Sequence, residues 1–161
     1  MLESFAELLG FVKAQMRALE ASIAELIASD PLWRQLNEAF RSIKGVAGRT
    51  VARLMAELPE IGTVSNKAAS KLVGLAPLAQ DSGKTRGQRA IGGGRGNVRA
   101  ILYVAAGVVR RHDSEFAAFA ERLSGAGKPR RVIRVALAHK LLVRLNAKAR
   151  DVRCTPPTDA K

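Results

Sequence analysis

Ser82 stands between Asp81 and Gly83, and Lys84, Arg86, Arg89, Arg95 and Arg99 follow within one short stretch. A hydroxyl in that setting could attack a phosphoryl group while the neighbouring cations stabilise the charge that develops on it. It could equally hydrogen-bond a phosphate or cap a turn. The stretch as a whole, residues 81–99, reads DSGKTRGQRAIGGGRGNVR and carries glycines at 83, 87, 92, 93, 94 and 96. Glycine costs roughly 0.5 to 1 kcal/mol per residue against alanine in a regular element, so the stretch predicts a loop. Glycine also lets backbone N–H groups come close to an anion, and cations around them suit a phosphate. A flexible solvated linker has the same composition. What favours the loop is the apolar run on each side, which anchors both ends in one fold.

A second candidate lies in residues 43–58, IKGVAGRTVARLMAEL, where Gly45 and Gly48 interrupt one helix and residues from Arg49 onward start another. A helix-hairpin-helix of this kind presents backbone amides at a helix N-terminus, where the dipole favours a phosphate without reading base sequence. Lys44, Arg49 and Arg53 would reinforce it. An ordinary helix-to-helix turn is the alternative. No nucleophile–base pair follows from local spacing, and no acid cluster is dense enough for two-metal chemistry. Cys154 stands alone, and His112 and His139 lack metal-ligand spacing, so neither disulfide, metal nor other cofactor is expected in this chain.

The charge points to the partner. A formal charge of +13 and a pI near 11.1 call for a polyanion, with nucleic acid first among them. The charge is uneven: residues 1–41 carry four Lys/Arg against six Asp/Glu, and residues 42–161 carry 23 against 8. Aromatic content of 4% is too sparse for a base-stacking platform, so phosphate contact is the better model. Neither a signal peptide nor an uninterrupted apolar run of spanning length is present, which predicts a cytoplasmic protein without membrane contact.

These residues must be positioned by helices. Phe5, Leu9, Val12, Met16, Leu19, Ile23 and Leu26 alternate steps of four and three, a heptad seam that predicts a coiled coil or one arm of a helical hairpin. The seam packs either on a second copy of the chain or on the chain's own helices. Asp30 and Pro31 cap and open a second helix with Leu32, Leu36, Phe40 and Ile43. Ser65 or Asn66 caps a helix that ends at Gly74. Residues 97–111 form an apolar helix through Val98, Ile101, Leu102, Val104, Ala105, Val108 and Val109. Asp113 or Ser114 opens the next, and residues 128–150 form the last. That helix is expected to turn Val132, Val135, Ala136, Ala138, Leu141, Leu142 and Leu145 inward, and its cations form either a solvated face or a phosphate-contacting one.

In order along the chain stand Ile43-Lys44-Gly45-Val46, Leu54-Met55-Ala56-Glu57-Leu58-Pro59, Gly74-Leu75-Ala76-Pro77, Asp81-Ser82-Gly83-Lys84, Gly87, Gly92-Gly93-Gly94-Arg95, Arg99, Leu102-Tyr103, Gly127-Lys128 and Lys140-Leu141-Leu142. This succession, over roughly residues 43–145, resembles the C-terminal, serine-bearing domain of DEDD-type insertion-sequence transposases. These are relatives of the Piv pilin-gene invertase, and they include bridge-RNA-guided recombinases. The resemblance implies that the Ser82 hydroxyl attacks DNA and forms a covalent phosphoserine link during strand exchange. It also implies a coiled-coil linker used in assembly, matching residues 1–28, and adds a structured guide RNA as a second nucleic-acid partner. Ala47 stands where the family hairpin usually has glycine. The family's resolvase-like domain, with four acids and their divalent metal, has no counterpart in this sequence, so the resemblance implies half of an active site, inactive until the other half is supplied.

The reading is an all-α protein. Residues 1–41 form a coiled coil or helical hairpin that makes a homo-oligomer through residues 5–28. Residues 42–150 form a DNA-binding helical domain with a helix-hairpin-helix-like motif and a Gly/Arg-rich loop, and 151–161 a disordered tail. Ser82 is the catalytic candidate. The nucleic-acid contacts expected are Lys44, Gly45, Arg49, Gly83, Lys84, Arg86, Arg89, Arg95, Arg99 and Lys128. Two rivals remain: a non-catalytic helix-hairpin-helix DNA-binding module and an RNA-binding assembly subunit.

Overall fold

Asp30 ends one helix and begins the next. Its carboxylate accepts the Trp33 N–H at 2.8 Å, and Pro31 takes the first helical position, where a missing N–H costs nothing. The computed structural model describes residues 2–78 and 90–155, which form seven helices. In chain order these are α1 (Leu2–Ser29), α2 (Pro31–Arg41), α3 (Gly48–Glu57), α4 (Asn66–Val73), α5 (Gly96–His112), α6 (Ser114–Gly125) and α7 (Arg130–Cys154). Between α4 and α5 two short strands, β1 (Pro77–Leu78) and β2 (Ala90–Ile91), pair antiparallel with Pro77 opposite Ile91 and Leu78 opposite Ala90. The protein is all-α apart from that ladder. Ser65 caps α4 by accepting the Ala68 N–H at 3.2 Å, and Gly74, at φ 73°, closes it in the left-handed conformation. Asp113 caps α6 through the Glu115 and Phe116 amides at 3.0 and 3.3 Å.

Helix α7 runs through the middle and packs on α2, α4, α5 and α6. Leu137, Leu141, Leu142 and Leu145 are buried on it, against Phe40 of α2, Leu102 and Val109 of α5 and Phe116 of α6. Each such side chain contributes about 1.5–3 kcal/mol relative to an exposed one. Helix α2 supplies Leu36 and Phe40 to this core.

Four expectations are corrected here. The stretch 81–99 is not a loop to its end: Ala90 and Ile91 pair with β1, and α5 begins at Gly96. The tail expected to be disordered from residue 151 continues α7 to Cys154, because Arg153 donates to the carbonyls of Ile61 at 3.0 Å and Pro59 at 3.2 Å. Residues 156–161 lie outside the described part. On α7, Val132 is 49% exposed and the core positions of that turn belong to Ile133 and Leu137. On α5, Val104 is 64% exposed.

The seam of α1 is open. Phe5, Leu9, Val12, Met16, Leu19, Ile23 and Leu26 are all exposed, and among the residues of the helix whose burial is described only Ile27, near its end, is buried. The contacts of α1 are with α2 and α3, including an ion pair from Glu20 to Arg49. Of the two packings considered for the seam, burial against the chain's own helices is not the one found. No described helix is long and apolar enough to cross a membrane.

Candidate nucleic-acid interface

Two segments distant in sequence are locked together where the Ser82 stretch begins and ends. Gly94, at φ 62°, lies so close to the end of α4 that a Cβ there would stand 2.5 Å from the Leu72 carbonyl oxygen and 2.6 Å from the Gly74 amide. A Cβ on Gly74 would in turn collide with the Gly93 carbonyl and the Arg99 guanidinium. The Arg95 amide donates to the Leu72 carbonyl at 2.8 Å. Arg99 Nη1 donates to the carbonyls of Gly93 at 2.7 Å and Val73 at 3.1 Å. Gly74 and Gly94 are therefore required for contact between two backbones of the same chain.

Arg95 closes this base from the other side. Its guanidinium forks onto Glu60 with Nη–O distances of 2.5 and 2.6 Å, the parallel pairing that a planar guanidinium makes with a carboxylate. The Arg95 hydrogen bond holds the Glu60 carboxyl down to about 2, with its own backbone amide adding to the effect, and Glu60 in turn raises the guanidinium's pKa. Arg95 and Arg99, both expected among phosphate contacts, are thus engaged within the protein. Ser82, Gly83, Lys84, Arg86 and Arg89 lie outside the described residues. What the structure gives of their segment is the frame at its two ends.

The residues 43–47 turn has a different setting. Ile43 and Val46 are buried anchors on either side of Gly45, whose φ is 97°. A Cβ on Gly45 would stand 3.0 Å from the Val109 Cα and N, so this glycine too answers to a close backbone contact, with α5. Lys44 is exposed. At the start of α3, Ala47 provides no side-chain cap. Arg49 is paired with Glu20, and Arg53 with Glu57 at 3.1 Å. A shallow groove of about 430 Å³ between α3 and α5 is lined by Arg49, Thr50, Arg53 and Asn97. Gly45 meets α5 at Val109 and the Ser82 frame meets it at Arg99, ten residues or about 15 Å apart along the helix. The Gly45 turn and the frame at Gly94 therefore meet α5 at different places along its length. Lys128 is exposed in the turn from α6 to α7, away from both in sequence.

The supports of this architecture include residues to which the sequence reading assigned no function. Asn146 is wholly buried on α7, accepts the Gly62 amide at 2.8 Å and donates to the Val64 carbonyl at 3.0 Å and Asn66 Oδ1 at 2.8 Å. It pins the connection from α3 to α4. The Ser70 hydroxyl donates to the Asn66 carbonyl at 2.7 Å, so the 3.0 Å contact from His139 Nε2 is an N–H donated to that hydroxyl. A polar residue amid the leucines of α7 was the signal available for both. His139 also lines an apolar groove of about 830 Å³ that reaches Pro77 and Ile91, at the base of the Ser82 segment, with Arg122, Arg131 and Lys140 among its walls.

Residues 37–121, a little over half of the chain, match the family model described as Transposase IS116/IS110/IS902. The window runs from the end of α2 into α6, so it contains the Gly45 turn, the frame and the Ser82 segment. An insertion element IS110 uncharacterized 43.6 kDa protein of Streptomyces coelicolor is 30% identical over 151 residues, which cover 92% of this chain and 36% of that protein.

Proposed function

Because the chain belongs to the IS116/IS110/IS902 transposase family, we propose that it is the DNA-binding, serine-bearing part of an insertion-sequence transposase. It spans about a third of the length of the relative it matches, and the remainder of such an enzyme would supply the metal-binding acids. The observation that carries this reading is the frame around residues 79–89. β1 and β2 flank residues 79–89 in the chain, and their base is fixed by the Arg95–Glu60 fork, the Arg99 bonds and the contact of Gly74 with Gly94. Rigid ends of that segment would help a nucleophile within it to meet a phosphodiester in line.

In the proposed step the Ser82 Oγ forms a bond to phosphorus and its proton passes to a base of the completed site. The phosphodiester bond to one deoxyribose oxygen breaks, and that oxygen leaves carrying a proton. The phosphoseryl ester conserves the broken linkage, so a second strand's hydroxyl can attack it and regenerate the serine without an external energy source. Lys84, Arg86 and Arg89 would offset charge on the phosphoryl oxygens. Lys44 and Lys128, exposed on separate turns, would hold flanking phosphates. The open seam of α1 supports assembly of copies through residues 5–28, and a structured guide RNA would be a further partner of the basic surface.

With the acidic domain supplied in the same chain or in trans, Ser82→Ala should remove a denaturant-resistant DNA adduct. It should leave noncovalent affinity nearly unchanged, since a neutral hydroxyl contributes only about 0.5–1.5 kcal/mol. An alanine variant that still forms the adduct and recombines DNA at the parental rate would show that Ser82 is not the nucleophile. Binding retained with no adduct from the parental protein would favour a non-catalytic module.

A further inference from the structure

A second basic feature lies where α5, α6 and the start of α7 meet. A pocket of about 420 Å³ there is lined by Tyr103, Arg110, Ser124, Arg130, Arg131 and Arg134, with no carboxylate among its lining residues. Arginines on the described surface that have carboxylate partners include Arg49, Arg53, Arg95 and Arg144. None of the four in this pocket has one among the described residues. Converging guanidiniums repel one another, so the arrangement calls for a counter-anion.

Arg134 is built into place. Its guanidinium lies over the Tyr103 ring, 5.1 Å from the centroid, and rests on Gly107 in the interior of α5, where any Cβ would collide with it. Glycine in a helix interior costs about 1 kcal/mol against alanine, and here it leaves room for the Arg134 guanidinium. The Nε of Arg134 is buried and has no acceptor among the described groups. That nitrogen is closed to solvent, so it is the exposed Arg110, Arg130 and Arg131 that an anion in the pocket can meet. Helix α7 adds to this: Pro129 offers no side-chain cap, and Arg130 and Arg131 occupy the first turn, where the helix dipole disfavours cations. An anion at this terminus removes that penalty and uses the free amides.

We infer that this pocket, whose lining includes neither the Gly45 turn nor the frame at Gly74 and Gly94, binds a backbone phosphate of duplex DNA. The inference rests on the DNA-binding reading above. Arg131 also lines the groove that reaches Pro77 and Ile91, so the pocket continues the surface that begins at the base of the Ser82 segment. The same chemistry would accept a phosphate from a small anion, and the test separates the two sources.

Binding of this chain to an arbitrary duplex is measured across a salt range for the parental protein, for Arg110→Gln/Arg130→Gln, and for Lys13→Gln/Arg17→Gln on α1 as a control of equal charge. Both altered arginines are exposed, and far-UV circular dichroism checks the fold. The pocket variant is expected to bind about tenfold more weakly near 0.1 M salt and to lose about one unit of slope, as one phosphate contact should; the control stays within twofold of parental. Pocket and control variants with the same affinity and slope would overturn the pocket while leaving DNA binding intact. A parental protein that does not bind duplex would remove the DNA-binding reading, and this inference with it. Inorganic pyrophosphate is titrated separately. If it binds the parental protein in an Arg110-dependent and Arg130-dependent way while duplex binding is insensitive to those residues, the pocket holds a small anion and the backbone assignment is wrong.

Discussion

The fork between Arg95 and Glu60 makes acid a probe of the Ser82 frame. Glu60 ionises at about 2 in the folded protein against an ordinary 4.5, so its contribution is fully present above pH 4.5 and is lost as pH falls from 4.5 toward 2. Glu60→Gln should therefore lower the melting temperature by a few degrees at neutral pH, with the gap to the parental protein closing across that acid window. Thermal unfolding followed by circular dichroism at several pH values checks this. Parallel curves at all pH values would mean that Arg95 holds the frame through its backbone bond alone. At this scale the sequence was legible in residue types and not in their targets. The glycines at 45, 74 and 94 signal close approach, yet each approaches another part of the same backbone. Arg95 and Arg99 read as cations for an external anion because Glu60 and the Val73 carbonyl lie too far away in sequence for local spacing to reveal them.

Helix boundaries were legible wherever a cap decides them, as at Asp30, Ser65, Gly74 and Asp113, because capping depends on residues within one turn. The inward face of α7 was less so. It packs on four helices, so its burial follows no single stripe, and near its start the core takes Ile133 and Leu137 while Val132 faces out. The seam of α1 is the reverse case: a regular period read from sequence, found exposed along its length. Such a stripe is expected to be covered by a second copy of itself. Val12→Asp with Leu19→Asp should lower the oligomeric state seen by sedimentation or light scattering and leave the helical domain's unfolding unchanged, since neither residue belongs to the core. A monomeric parental protein at high concentration would contradict self-association through α1.

Across the whole molecule, the acidic balance lies in residues 1–41 and the basic balance in 42–161. Among the described residues, α2 enters the core while α1 keeps its apolar face open. Charge was readable from composition, and packing was not, because a core is defined by contacts between distant positions. Some cations of the basic portion are engaged within the protein: Arg144 pairs with Asp113 and Glu115, and Arg153 closes carbonyls of the α3–α4 connection. Lys44, Lys128, Arg110, Arg130 and Arg131 remain exposed. Phosphate contact by such cations, without base reading, should make duplex binding depend steeply on salt. Affinity for an arbitrary duplex should fall log-linearly as salt rises, with a slope of about 0.9 per phosphate and several phosphates in all. A flat response, or no binding at low salt, would contradict it.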